Sequence, residues 1–247
     1  MRHGAEIPFP DKGSEDSPRV SPVGNTCHMR ITLPSGTPAE MVQHANPKMG
    51  LVIAPDIFGL RPLYDDMVQR LSDEWQMSVI AVEPFPGMNL GPEIEPRQAA
   101  VPSLDDELKL RDQLEAADAL QCDTVGLLGF CLGGMYAFKA ARNDRFTRIV
   151  AFYGMIALPE AWRSPTQGEP LTMLLSGYAE SVFAVLGGKD FYTPMSDIDQ
   201  LRSTGATISF YPDAEHGFAH DASRPTHREE DAVDAFAKAK AWLLSAV

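Results

Sequence analysis

From Gly50 onward the chain alternates short apolar runs with stretches in which apolar residues recur every three or four positions. A continuous apolar run of four or five residues predicts a strand buried on both faces. A recurrence near 3.6 residues predicts a helix with one buried stripe. Leu51–Ala54, Val79–Val82, Val125–Leu128, Ile149–Tyr153, Val182–Leu186 and Thr207–Tyr211 read as strands of this kind. Between the first two, Tyr64, Met67, Val68, Leu71 and Trp75 share one helical face. A stripe through Leu110, Leu114 and Ala117 predicts a helix capped by Ser103, and another helix is expected from about Gly133 to Arg142. A short helix should start at Thr193-Pro194, with Pro at a tolerated first-turn position. A last helix, with Thr226 and Glu229 as a capping box, is expected to bury Val233, Phe236, Ala237 and Leu244. Buried strands alternating with helices predict an α/β fold: a mostly parallel sheet flanked by helices on both faces.

The ends and one internal segment break this rhythm. Residues 1–25 hold Pro8, Pro10, Pro18 and Pro22 among scattered charges without a period, and read as an extended N-terminal arm. A single domain is expected over 26–247. It should open with two strands, Thr26–Leu33 and Ala39–Ala45, around the turn Pro34-Ser-Gly-Thr-Pro38. Residues 154–180, with Pro159, Pro165, Gly168 and Pro170, are expected to form a loop or a small lid beside the sheet.

Composition narrows the function classes. The 247 residues carry 34 acidic against 21 basic side chains, a formal net charge of −13. No basic run offers nucleic acid a footprint. The longest apolar stretch, Val125–Phe138, is 14 residues with its four glycines, short of the about 20 a membrane-spanning helix needs. No secretory signal opens the chain, and Cys27, Cys122 and Cys131 make no disulfide framework, so a cytosolic, cytoplasmic setting is expected.

The candidate chemistry lies between the Val125–Leu128 strand and the helix after it. Gly129-Phe-Cys131-Leu-Gly133-Gly134 is the G-x-nucleophile-x-G elbow of α/β-hydrolases with Cys in the place of Ser. Such a turn exposes the sulfur at the carboxyl end of the sheet and at a helix N-terminus, whose partial positive charge favours thiolate. Cys27 and Cys122 lack these surroundings and read as structural. A dinucleotide loop fails on spacing, because the glycines do not make G-x-G-x-x-G.

The elbow calls for an acid and then a histidine further along the chain. Asp190 follows the Val182–Leu186 strand, 59 residues after Cys131, and His216 follows the last strand, 26 residues further. Both therefore fall on the rim that carries Cys131. His216 would take the thiol proton and return one to the leaving group, and Asp190 would hold its tautomer. His216 and His220 are four apart, but Gly217 argues against a helix there and no H-E-x-x-H is present, so no metal site is expected.

Leu51-Val-Ile-Ala-Pro-Asp56-Ile-Phe-Gly59-Leu, Gly129-Phe-Cys131-Leu-Gly-Gly134, Gly188-Lys-Asp190 and Glu215-His216-Gly-Phe218 together resemble the dienelactone hydrolase family. The resemblance runs from about Thr26 to the last helix. It implies an α/β-hydrolase fold, a Cys131–His216–Asp190 triad, no cofactor, and an oxyanion hole made by the backbone N–H groups of Ile57 and Leu132. Two departures stand out. The family's founding members have Glu at the position of Asp56, where it engages the resting thiol, so Asp56 is a candidate modulator of the nucleophile. They also hold a substrate carboxylate with two arginines. One falls in the Phe85–Met88 region, which has no Arg, and the other at His220. His220, Arg61 and Arg224 become the candidate substrate contacts.

The expectation is therefore a thiol hydrolase of small-molecule carboxylic esters or lactones, with a substrate less anionic than a dienelactone. The alternative is a non-hydrolytic small-molecule-binding or redox-sensing protein on the same fold, since an accessible, low-pKa Cys serves sensing equally well.

Overall fold

In the computed structural model, residues 19–20 and 26–247 are described. Apart from Arg19 and Val20, the expected N-terminal arm lies outside them. The strands are β1 (Arg19–Val20), β2 (Thr26–Thr32), β3 (Pro38–His44), β4 (Gly50–Ala54), β5 (Ser78–Val82), β6 (Val125–Phe130), β7 (Arg148–Phe152), β8 (Val182–Gly187) and β9 (Thr207–Tyr211). They form one sheet in the order β1-β2-β3-β5-β4-β6-β7-β8-β9. β1, β2 and β3 pair antiparallel at one edge, and every pairing from β5 through β9 is parallel. Strands β4, β5, β6 and β8 are buried at every position, as their unbroken apolar runs require.

The chain leaves β4 towards β5 on one side and returns to place β6 on the other. That reversal opens a crevice beyond the carboxyl ends of β4 and β6, the usual ligand site of an open parallel sheet. The loops after β4 and β6 are those that carry Asp56–Ile57 and Cys131.

The helices are α1 (Pro62–Trp75), α2 (Ile94–Ala100), α3 (Asp106–Ala119), α4 (Leu132–Ala140), α5 (Pro170–Leu175), α6 (Met195–Arg202) and α7 (Glu229–Leu244). α1 and α7 cover one face of the sheet, with Tyr64, Val68, Leu71, Ala235 and Ala239 in that core layer. α3, α4 and α6 cover the other, through Ala116, Met135, Phe138, Ile198 and Leu201. α1 begins with Pro62 in its first turn and ends where Gln76 turns left-handed, at φ 57°. No helix among the described residues is long and apolar enough to cross a membrane.

Three local expectations are corrected. The cap of α3 is Asp105, whose carboxylate accepts from the Glu107 and Leu108 N–H groups. Ser103 belongs to a preceding 3₁₀ turn, Val101–Ser103. Thr226 caps nothing: α7 starts only at Glu229, and Glu229, Glu230 and Asp231 supply the negative charge its first turn favours. The buried face of α7 is Ala232, Ala235, Ala239 and Leu243, while Val233 is 62% exposed and Phe236 and Leu244 are half-buried. Small alanines let the helix axis approach the sheet, so the larger neighbours are turned to the flanks.

Residues 154–180, expected as a loop or lid, contain α5 and the 3₁₀ turn Glu160–Trp162 and run into a second, Ala179–Ser181. They are anchored to the rest of the fold through Asp106. Its carboxylate accepts from the Gly168 N–H at 2.7 Å and from buried Lys139 Nζ at 2.8 and 2.9 Å.

Candidate active site

β6 ends in a turn that forces Cys131 to φ 54°, ψ −113°, a strained backbone for a residue with a side chain. The turn closes because glycines flank it. A Cβ on Gly129 would lie 2.1 Å from the Gly133 carbonyl oxygen, and one on Gly133 would lie 1.9 Å from that of Ala54. The Cys131 N–H donates to the Phe152 carbonyl at 3.0 Å, which ties the turn to β7. α4 starts at the next residue, so Cys131 sits at its N-terminal end, as the motif predicts.

Asp190 and His216 reach the same rim from β8 and β9. The loops that carry them are knitted together: Gly188 N–H donates to the Tyr211 carbonyl at 2.8 Å, and Lys189 N–H to that of Ala214 at 2.9 Å. Asp190 is buried. One of its oxygens accepts from the Tyr192 N–H, and the other lies 2.8 Å from His216 Nδ1. The second ring nitrogen of His216, Nε2, is buried with no regular hydrogen-bond partner among the described residues. Cys131 lines the same cavity as His216. Burial alone would lower the pKa of His216, but Cys131 and Asp190 outweigh it and raise it to about 10.

Ile57 follows β4 and Leu132 follows Cys131. Among the described residues neither backbone N–H meets an acceptor, so both are free to hold a developing oxyanion. A cavity of about 60 Å³ opens beside Ile57 and Cys131, lined also by Phe58, Met155, Trp162 and Arg224 among others. Met155 and Trp162 come from the 154–180 segment, which therefore walls the site. Tyr192 closes another side with its ring edge-on to His216, centroids 4.8 Å apart. A larger hollow of about 550 Å³ lies between α1 and α7, but no Ser, Thr or Cys lines it.

Asp56 is buried and fully engaged. Arg61 grips it with both terminal guanidinium nitrogens, Nη1 and Nη2, at 2.7 and 2.9 Å, and His220 Nε2 lies 2.7 Å from its Oδ2. Its Oδ1 also accepts from the Phe58 N–H. Burial would raise its pKa, but His220 and Arg61 hold the carboxyl well below the usual range. Of the three candidate substrate contacts, Arg224 alone lines the cavity. Arg61 and His220 are drawn to Asp56, contrary to the expectation that they face a substrate, because a buried carboxylate needs compensating donors. Arg224 forms no ion pair among the described residues. Sequence reasoning missed Tyr153, whose ring lies beside His216 and whose hydroxyl meets His220 Nδ1 at 2.5 Å. Its place as the last residue of a predicted strand, Ile149–Tyr153, was the available signal.

His216 and His220 do not converge on a common point; each bonds a different carboxylate. Among the described residues no group of three or more His, Cys, Asp or Glu side chains is arranged to hold a metal.

Residues 37–246 match the model of the dienelactone hydrolase family. A carboxymethylenebutenolidase of Rhodococcus opacus is 30% identical over 215 residues, covering 78% of this chain and 80% of its own. One from Pseudomonas putida is 28% identical over 219 residues, covering 81% and 84%. A dienelactone hydrolase-type protein of Klebsiella pneumoniae subsp. pneumoniae has a similar crystal structure, with a TM-score of 0.76 at 23% identity over 88% of this chain and 98% of its own. That last likeness speaks for the fold.

Proposed function

The chain belongs to the dienelactone hydrolase family, and from that premise we propose that it hydrolyses small carboxylic esters or lactones with Cys131 as nucleophile, His216 as base and acid, and Asp190 as the group that orients His216. The observation that carries this reading is His216 held by Asp190 on one ring nitrogen and lining one cavity with Cys131.

With its raised pKa, His216 holds the proton taken from the thiol. The thiolate adds to the substrate carbonyl, and the oxygen that gains charge is met by the free N–H groups of Ile57 and Leu132. Collapse expels the alkoxide, which takes its proton from the imidazolium, and leaves an acyl-thioester on Cys131. Neutral His216 then removes a proton from water. The hydroxide adds to the thioester carbonyl, and the second collapse releases the acid and the thiolate. In a lactone the alkoxide and the acyl group stay in one molecule, so a single ring-opened product leaves.

The relatives' name describes an unsaturated lactone that bears a carboxymethylene group. For this chain we propose a less anionic substrate. Ile57, Phe58, Ile94, Met155 and Trp162 give the cavity an apolar wall, and Arg224 is the one arginine or lysine that lines it. The enzyme is proposed to work as one domain over residues 26–247, in the cytosol, where its three free cysteines stay reduced.

The test is a burst of product from a generic aryl ester. Wild type is expected to release product stoichiometrically with enzyme and then turn over, and Cys131→Ala to do neither. Hydrolysis that survives Cys131→Ala would remove the thiol mechanism. A labile Cys131 without any ester turnover would favour a binding or sensing role.

A further inference from the structure

The buried link between Asp56 and His220 has no part in the chemistry above, yet it spans the site. Asp56 immediately precedes Ile57, the oxyanion donor on the loop after β4. His220 lies four residues beyond His216 on the loop after β9. The two side chains, 164 positions apart in sequence, meet at 2.7 Å, and both are almost wholly buried.

The donor assignment follows from chemistry. The Asp56 carboxylate is ionised and can only accept, so His220 Nε2 carries the hydrogen. Burial is the largest influence on His220 and depresses its pKa, so the ring is neutral and Nδ1 is an acceptor. The hydroxyl of Tyr153 therefore donates to Nδ1. The groups facing His220 are Asp56, Tyr153, the more distant cations Arg61 and Arg224, and the ring of Phe130 stacked at 4.9 Å. Each polar atom of the imidazole is satisfied, and none is left for a substrate.

Tyr153 adds an independent observation. It sits at φ 38°, a left-handed conformation that residues with a Cβ rarely adopt. The strained backbone directs its ring between the two histidines: edge-on to His216 at 5.2 Å and hydrogen-bonded to His220. Three loops, from the ends of β4, β7 and β9, are thus joined at one imidazole.

We propose that His220 is a positioning residue that fastens the loop presenting the Ile57 N–H to the loop carrying His216, through Asp56 on one side and Tyr153 on the other. The role rests on the hydrolytic reading given above. An oxyanion donor acts only if it is aimed where the charge develops, and a displacement of about 1 Å can cost roughly 100-fold. Fixing the two loops to each other sets that aim.

The test compares His220→Phe, His220→Gln, Tyr153→Phe and Cys131→Ala, using steady-state hydrolysis of an aryl ester and the rate of Cys131 alkylation by iodoacetamide. His220→Phe is expected to lower kcat by roughly 10–100-fold while KM stays within about threefold. Alkylation of Cys131 should keep its wild-type rate and pH dependence, because the thiol and His216 are not touched. His220→Gln, which can still donate to Asp56, should recover part of kcat, and Tyr153→Phe should lose less than His220→Phe. These two milder variants carry the test if His220→Phe does not fold. An unchanged kcat would overturn the role. So would a raised KM at constant kcat, the mark of a substrate contact, or an alkylation rate that falls with kcat, the mark of action through the nucleophile. Hydrolysis that persists in Cys131→Ala would instead overturn the thiol mechanism and this role together.

Discussion

His216 Nδ1 and Asp190 Oδ2 stand 2.8 Å apart because β8 and β9 are parallel neighbours whose carboxyl-end loops are hydrogen-bonded to each other. The pair is thus preformed by the sheet before any substrate arrives. If the two residues act as one unit with Cys131, their losses should not multiply. His216→Ala is expected to lose most of kcat, Asp190→Asn somewhat less, and the double variant little more than His216→Ala alone. Fully multiplicative losses, measured under saturating substrate, would separate Asp190 from the relay.

The raised pKa of His216 gives a pH prediction with a definite sign. Burial opposes protonation, and Cys131 and Asp190 favour it more strongly, so the imidazolium persists to about pH 10. The acid that protonates the leaving group is then lost only above that value. The alkaline limb of kcat/KM is expected near pH 10, well above the ordinary histidine value of about 6.5. In Asp190→Asn one supporting partner is gone and the limb should move down. The same shift acts on stability. A folded-state pKa above the unfolded one stabilises fully below about pH 6.5, and the gain disappears as pH rises through about 10. A limb that stays in place in Asp190→Asn would contradict the assignment.

Cys131 should be the fast thiol. Cys122 donates its S–H to the Leu120 carbonyl, and burial pushes its pKa up. Cys27 lies within β2, in the antiparallel edge of the sheet and not at the elbow. Sub-stoichiometric iodoacetamide at neutral pH is expected to label Cys131 first and to abolish hydrolysis in proportion, and His216→Ala to slow that labelling. Peptide mapping that finds Cys27 or Cys122 modified first would defeat the prediction.

The elbow was legible because its chemistry and its geometry occupy the same few residues. Gly129, Cys131 and Gly133 are adjacent in sequence, and the clash that demands glycine is local. Asp190 and His216 were legible because each follows a strand that the apolar pattern marks. His220 was not. Its position points to a substrate contact, whereas its partner lies 164 residues away and no spacing records that contact. For α7 the pattern points to Val233, Phe236, Ala237 and Leu244, but close packing on the sheet selects Ala232, Ala235, Ala239 and Leu243. The Ser103 and Thr226 caps failed where a 3₁₀ turn and a later helix start moved the first exposed N–H groups along the chain.

The anchor of the 154–180 segment should be costly to break. Lys139 is fully buried, and its charge is met by Asp106, which also holds the Gly168 N–H. Removing one partner strands the other's charge in the interior. Lys139→Ala is therefore expected to destabilise the protein by about 3–5 kcal/mol, and Lys139→Met with Asp106→Asn by clearly less than Lys139→Ala. Urea unfolding monitored by tryptophan fluorescence measures both. A loss below about 1 kcal/mol in Lys139→Ala would mean that water reaches the pair and the segment is held by other contacts.

Substrate charge is the remaining question that the site's electrostatics can answer. A carboxylate-bearing lactone is best oriented by a pair of cations, since guanidinium groups bind carboxylate bidentately. Here Arg61 is committed to Asp56, His220 is neutral and buried, and only Arg224 lines the cavity. The net charge of −13 adds an unfavourable field for incoming anions. Losing one charge-assisted contact costs about 1.5–3 kcal/mol, or roughly 10–150-fold in specificity. A neutral methyl ester of a carboxylate-bearing lactone is accordingly expected to show the higher kcat/KM of the two, and the acid to be the compound that weakens further in Arg224→Gln. Substituting Arg61 should instead act on kcat for both compounds alike, through the loop that presents Ile57. A clear preference for the acid would reverse the proposed substrate class, and its disappearance in Arg224→Gln would identify Arg224 as the carboxylate clamp.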